Sequence, residues 1–224
     1  MNRRNFLVTG ALATGAVMFP VRISGKDELK KIVLIGDSIR IGYQPFVIEN
    51  MIGKAEVWGP EENGGTSSNV VKNLHKWVIR QEPHIVHVNA GLHDLRTLYY
   101  DSGPGKNVVP LDHYKDNVET IINFIKTRSG AIVIWATTTP VIYERAHQAH
   151  SRGKDFDRHN EDVIMYNKAA VKVAKKYDVP VNDLYRFVMD ADAESIIRKD
   201  GVHFTEEARK MQGRYVANYL KNYL

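Results

Sequence analysis

The sequence predicts an α/β fold, a parallel sheet with helices on both faces. Short apolar, β-branched runs alternate along the chain with segments whose apolar residues recur at helical spacing. The first of these runs is apolar throughout rather than alternating, as in strands covered on both faces. Such βα units join through right-handed crossovers. The strands are expected at Lys31 to Gly36, Ala55 to Trp58, His84 to Ala90, Ala131 to Thr137 and Val179 to Asn182. Between them, Asn69 to Arg80 places Val70, Val71, Leu74, Trp77 and Val78 on one helical face. Asp112 to Arg128 does the same with Tyr114, Val118, Ile121, Ile122 and Ile125. A further helix is expected from Glu161 to Tyr177. A terminal one opens at Thr205 with Glu206, Glu207 and Ala208, and its Tyr215 and Tyr219 are assigned to the core.

A chain of 224 residues with 43% hydrophobic content suffices for one substantial core. That domain is expected to span residues 25–224, behind a leader at 1–24. Asn2-Arg3-Arg4-Asn5-Phe6-Leu7 resembles a twin-arginine export signal, and Phe6 to Phe19 forms its apolar stretch. Export to the periplasm or the exterior is the expectation. The stretch is short for a membrane span. Three of the 31 basic residues lie in the leader, which leaves 28 against 26 acidic ones, no footprint for nucleic acid. With no cysteine, disulfides, thiolate catalysis and Cys-ligated zinc are excluded.

The chemistry concentrates at two points. The first strand ends abruptly at Gly36-Asp37-Ser38, and open parallel sheets gather chemistry beyond the carboxyl ends of their strands. Ser38 there fits a nucleophile; it equally fits the cap of a following helix. Near the other end, Asp200-Gly201-Val202-His203-Phe204 sets an Asp three residues before a His across a glycine that permits a tight turn. Such an Asp can hold one imidazole nitrogen while the other faces a serine. The same spacing also serves as a helix-entry turn. Together the three residues make a triad in the order Ser, Asp, His.

The chain resembles the SGNH hydrolases, or GDSL esterases/lipases. The match is carried by IGDSIR near the start, NGGTSS next, NAGLHDL mid-chain and DGVHFT near the end. The resemblance implies a three-layer α/β/α, flavodoxin-like sheet of five parallel strands in the order 2-1-3-4-5. It implies Ser38 as nucleophile, His203 as general base and Asp200 as its orienter, a mechanism that requires no cofactor. It also implies an oxyanion hole from the Ser38 amide, a glycine for which Gly65 fits better than Gly64, and a side chain of the third block. There the chain departs from the family, whose Gly-x-Asn-Asp is here Gly91-Leu92-His93-Asp94. A histidine N–H can also donate to an oxyanion, so His93 takes the role, with Asn89 at the same strand end as the alternative.

Two loops are expected to shape the pocket. One runs from Leu95 to Pro110 through Tyr99, Tyr100, Asp101, Gly103 and Pro104. The other runs from Pro140 to Asn160 through Arg145, His147, His150 and Arg152. The spacing of His147, His150 and His159 fits no compact zinc site. Export and polar loops favour a serine esterase removing small acyl groups, O-acetyl above all, from a carbohydrate. A lysophospholipase or thioesterase with the same triad, and a non-catalytic glycan-binding protein, stay open.

Overall fold

A computed structural model of the chain describes residues 28–100, 103–150 and 156–224. The expected leader, Asp101 and Arg152 lie outside the described residues. Strands β1 (Lys30–Ile35), β2 (Ala55–Trp58) and β3 (Ile85–Asn89) follow the sequence pattern. Two further strands, β4 (Thr97–Tyr100) and β5 (Gly103–Asn107), come next, and then β6 (Ile132–Ala136), β7 (Phe156–Asp157) and β8 (Val181–Asn182). The main sheet is parallel throughout, in the order β2-β1-β3-β6-β8, which is the expected 2-1-3-4-5. Its centre is dry: Ile32 to Ile35, Val86, Val88, Ile134 and Trp135 have no exposed surface.

The helices are α1 (Ser38–Met51), α2 (Ser67–Trp77), α3 (Leu111–Arg128), α4 (Tyr143–His150) and α5 (Asn160–Lys176). After them come α6 (Leu184–Asp190), α7 (Ala193–Ile196) and α8 (Glu206–Leu220). Helix α2 ends earlier than its apolar pattern, because Ile79–Gln81 tightens into a 3₁₀ turn that stops at Glu82 in the left-handed region. Helix α3 packs against α2 and α5, whereas α1 packs against α8. Along α1, Ile39, Tyr43, Val47 and Met51 recur every fourth residue and are all buried. Close approach to α8 depends on Gly213, where a Cβ would fall 2.4 Å from that of Phe46. On α8, Tyr219 donates its hydroxyl to Val181 O at 3.0 Å and Tyr215 stacks on Phe187, both half-buried against the core.

The two expected loops are instead partly ordered into a second layer. Strands β5, β4 and β7 form an antiparallel sheet, with Thr97 paired to both Asn107 and Asp157. Helix α4 occupies the start of the second loop. Gly103-Pro104-Gly105 carries no strand signal, and β5 is an edge strand, where a proline needs no ladder partner.

Candidate active site

The apolar end of β1 runs into Gly36, where there is no room for a side chain: a Cβ would meet that of Arg40 at 2.7 Å. Asp37 then caps α1, its carboxylate accepting the Ile39 N–H at 2.9 Å. The cap is therefore Asp37 and not Ser38. Ser38 occupies the first helical turn, where a backbone N–H has no intrahelical acceptor. Its half-buried hydroxyl lies 3.0 Å from His203 Nε2.

The Asp200 to His203 turn is locally self-supporting. One Asp200 oxygen accepts the N–H groups of Val202 and His203 at 3.0 and 2.8 Å, and the other lies 3.1 Å from His203 Nδ1. Burial opposes ionisation of Asp200, but those N–H groups and the His203 ring outweigh it and hold the carboxyl below its ordinary range. Gly201 sits at φ +70° with its Cα against the start of α4, where a Cβ would fall 2.4 Å from Ala146 N. The turn does not cap α8, whose cap is Thr205; it holds a His between an Asp and a Ser.

The β2–α2 connection reaches the same corner. Gly64 N–H donates to Gly36 O at 3.0 Å, which is possible because a Cβ on Gly64 would fall 2.6 Å from that oxygen. The Gly64 donor is consequently spent. Gly65 follows at φ +61°, and its N–H donates to Asn63 Oδ1 at 2.8 Å. Any substrate oxygen at Gly65 must displace that side chain, a competitor the sequence did not reveal.

Arg40, 1% exposed, ties this loop to the serine turn. Its guanidinium donates to Pro60 O at 2.7 Å, Glu62 O at 2.9 Å, Gly36 O at 3.2 Å and Gln44 Oε1 at 2.8 Å. Arg40→Ala strands the Pro60 and Glu62 carbonyls, Gly36 O keeping the Gly64 N–H, and leaves a void, at about 1–3 kcal/mol per buried orphan. A fall of roughly 6–12 °C in Tm is expected on thermal melting. An unchanged Tm would mean that water replaces the guanidinium without cost.

Beyond β3, Gly91 to Asp94 makes a tight turn, with Asp94 N–H donating to Gly91 O at 2.9 Å. Buried Asp94 faces inward: both its oxygens accept the Ser67 N–H at 2.9 Å, and the Ser67 hydroxyl donates to it as well. Burial raises its carboxyl to about 6 against those bonds. His93 points the other way, into a cavity of about 500 Å³ that Ser38, Asn63 and His203 also line. Burial, then the cations Arg158 and Arg96, then His203, push the His93 ring down to about 4, so it is neutral around pH 7. Asn89 does not line that cavity. It is 1% exposed, and its amide donates to Ala136 O and Thr137 O at 3.3 and 3.0 Å. A larger cavity, about 640 Å³ between Lys30 and Tyr223, lies at the opposite end of the strands, away from every one of these groups.

Of the loop residues, Arg145 turns away from the site to Glu194 and Ile197. Tyr143 stacks between His147 and His159, His147 Nδ1 lies 2.9 Å from Asp157, and Tyr99 meets His159 at 3.2 Å. Arg96, Phe156 and Arg158 line the cavity although no sequence motif marked them. A serine hydroxyl against an imidazole held by a carboxylate, with N–H donors around a small cavity, can run nucleophilic acyl transfer.

Residues 34–211 match the model of the GDSL-like lipase/acylhydrolase family. The chain belongs to that family. A GDSL esterase/lipase of Arabidopsis thaliana is 30% identical over 118 residues, 50% of this chain and 49% of that protein. The GDSL chain described here thus spans about half the length of the curated relatives it matches. Among solved structures, a lipase/acylhydrolase from Enterococcus faecalis superposes with a TM-score of 0.71 at 22% identity, covering 87% of this chain and 96% of that one. The acetylxylan esterase Axe2 from Geobacillus stearothermophilus superposes at 0.65 and 16% identity, over 88% and 94%. At those identities the likeness speaks for the GDSL fold. No helix among the described residues is long and apolar enough to cross a membrane.

Proposed function

We propose that this chain is an exported serine esterase that removes small acyl groups, O-acetyl foremost, from carbohydrate. Ser38 attacks the ester carbonyl, His203 takes its proton and returns it to the leaving alcohol, and Asp200 orients the ring; water then clears the acyl-enzyme by the same route. The observation that carries this reading is the contact chain from Ser38 Oγ to His203 Nε2 at 3.0 Å and from His203 Nδ1 to Asp200 at 3.1 Å, opening on a cavity of about 500 Å³. Family membership supports ester hydrolysis. The modest cavity favours a short acyl group over a fatty chain, and a protein of this fold, Axe2, is an acetylxylan esterase. Export rests on the Asn2 to Leu7 motif and the apolar stretch behind it.

The deciding experiment is a panel of 4-nitrophenyl esters of increasing chain length and of acetylated sugars, run on subcellular fractions and on purified protein. Turnover should be highest on acetyl esters and appear outside the cytoplasm. A fluorophosphonate should label Ser38. Preference for long chains would replace this reading with a lipase-type one, and an unlabelled, inactive protein would leave glycan binding.

For the oxyanion we assign the N–H groups of Ser38 and Gly65 and the ring N–H of His93. His93→Ala should then lower kcat by about 10²–10³-fold with a smaller change in KM. His93→Asn should recover part of that loss. Because the His93 ring stays neutral down to about pH 4, His93→Asn should leave the acidic limb of the pH–rate profile in place. Unchanged kcat in His93→Ala would mean that the two backbone donors suffice.

A further inference from the structure

The wall facing Ser38 carries charge that the hydrolytic machinery does not use. Arg158 is 6% exposed, and its Nε donates to Leu92 O at 2.8 Å. Half-buried Arg96 repeats the arrangement one residue along, its Nε donating to His93 O at 3.1 Å. Both guanidinium groups lie over the Phe156 ring, 5.0 Å from its centroid for Arg96 and 5.1 Å for Arg158. In each, Nε alone has a hydrogen-bond partner among the described residues, and neither forms an ion pair with a described carboxylate. Their Nη groups are not among the sealed-in polar atoms left without a partner, so they open on the cavity that both residues line.

A guanidinium withdrawn from water without a counter-ion is costly, and such groups are as a rule paired. Here burial, with Arg96 beside it, lowers the Arg158 guanidinium to about 10, which leaves it cationic at neutral pH. Among the described residues lining the cavity, Asp200 is the one carboxylate, and it is committed to Val202 and His203. The buried carboxylates whose fields reach the pair, Asp37 for Arg158 and Asp94 for Arg96, make no hydrogen bond to either guanidinium, so the Nη groups stay open to a ligand oxygen. A planar fork of N–H donors matches a carboxylate.

We propose that Arg158 and Arg96 bind a carboxylate of the substrate, so that the preferred ester is acidic: an acylated uronic acid, or an ester whose acyl chain ends in a carboxylate. The carbonyls that both Nε atoms grip belong to the His93 turn, which places the bound charge next to the reacting carbonyl. This inference rests on the esterase reading.

The test compares kcat/KM within two matched pairs, an O-acetylated galacturonoside against its methyl ester and 4-nitrophenyl hemisuccinate against 4-nitrophenyl butyrate. One acid should be preferred by about 10–100-fold, as for a hydrogen-bonded charge, and the pair that responds identifies the source of the carboxylate. The preference should shrink with added salt and fall below about 3-fold in Arg158→Gln and in Arg96→Gln. The second variant covers the case in which loss of buried Arg158 unfolds the chain. Equal rates within both pairs, or a preference that survives both substitutions, overturns the proposal. Titrating Ser38→Ala with galacturonate, succinate, galactose and inorganic phosphate decides the anion site without hydrolysis. A carboxylate should bind where galactose does not; tighter binding of phosphate than of either carboxylate overturns it. Absent turnover of 4-nitrophenyl acetate by the wild type would instead remove the esterase reading and leave the titration to judge the site.

Discussion

Ser38→Ala is expected to lower acetyl-ester turnover by about 10⁴-fold or more, to near background, while leaving the fold intact. The two halves of this expectation have separate physical grounds. Turnover collapses because the acyl-enzyme needs the hydroxyl that sits 3.0 Å from His203, and no other described hydroxyl is hydrogen-bonded to that ring. Stability survives because α1 is capped by the Asp37 side chain rather than by Ser38, so the truncation costs one half-exposed hydrogen bond. Ester assays with thermal melting check both halves. Wild-type-like turnover in a folded Ser38→Ala protein would sink the assignment of the nucleophile.

Asp200→Asn should be nearly as damaging, and for a reason visible atom by atom. The oxygen that accepts the Val202 and His203 N–H groups survives as the amide oxygen, so the turn keeps its hydrogen bonds. The other oxygen becomes an NH₂ facing His203 Nδ1, where it prefers an acceptor and drives the ring proton onto Nε2. Nε2 then cannot take the proton of Ser38. A loss on the order of 10⁴ in kcat follows from that wrong tautomer, with Tm close to the wild type. His203→Ala removes the base itself and should be at least as severe. Most of the activity remaining in Asp200→Asn would mean that another carboxylate orients the ring.

Strands β1, β2, β3, β6 and β8 were legible because buried parallel strands announce themselves by apolar runs, as in Ile32 to Ile35. The helices α3 and α5 were legible from a single apolar stripe. Helix α1 was recognisable only as the helix that Ser38 would have capped, because Gly42 and Pro45 read as breakers; its stripe of every fourth residue emerges once α8 covers it. The β5-β4-β7 sheet was hidden because its strands are short and β7 has only two residues, paired across a long stretch of chain. Within the site, the residues in compact motifs could be found by spacing. Asn63 lay inside the NGGTSS motif, but its hold on the Gly65 N–H did not show there; Arg96 and Arg158 could not be found, since a guanidinium becomes informative only when its Nη groups prove to be unpartnered.

The two ends of the domain meet where α1 packs against α8, and that contact fixes when the proposed chemistry can begin. Ser38 and His203 stand 165 positions apart, one in the first turn of α1 and the other just before α8. Closing so long a stretch is an entropic cost met late, once the sheet is there to receive it. On the proposed roles, a chain still leaving the ribosome carries a nucleophile with no base. On those roles, hydrolysis needs both segments folded against each other.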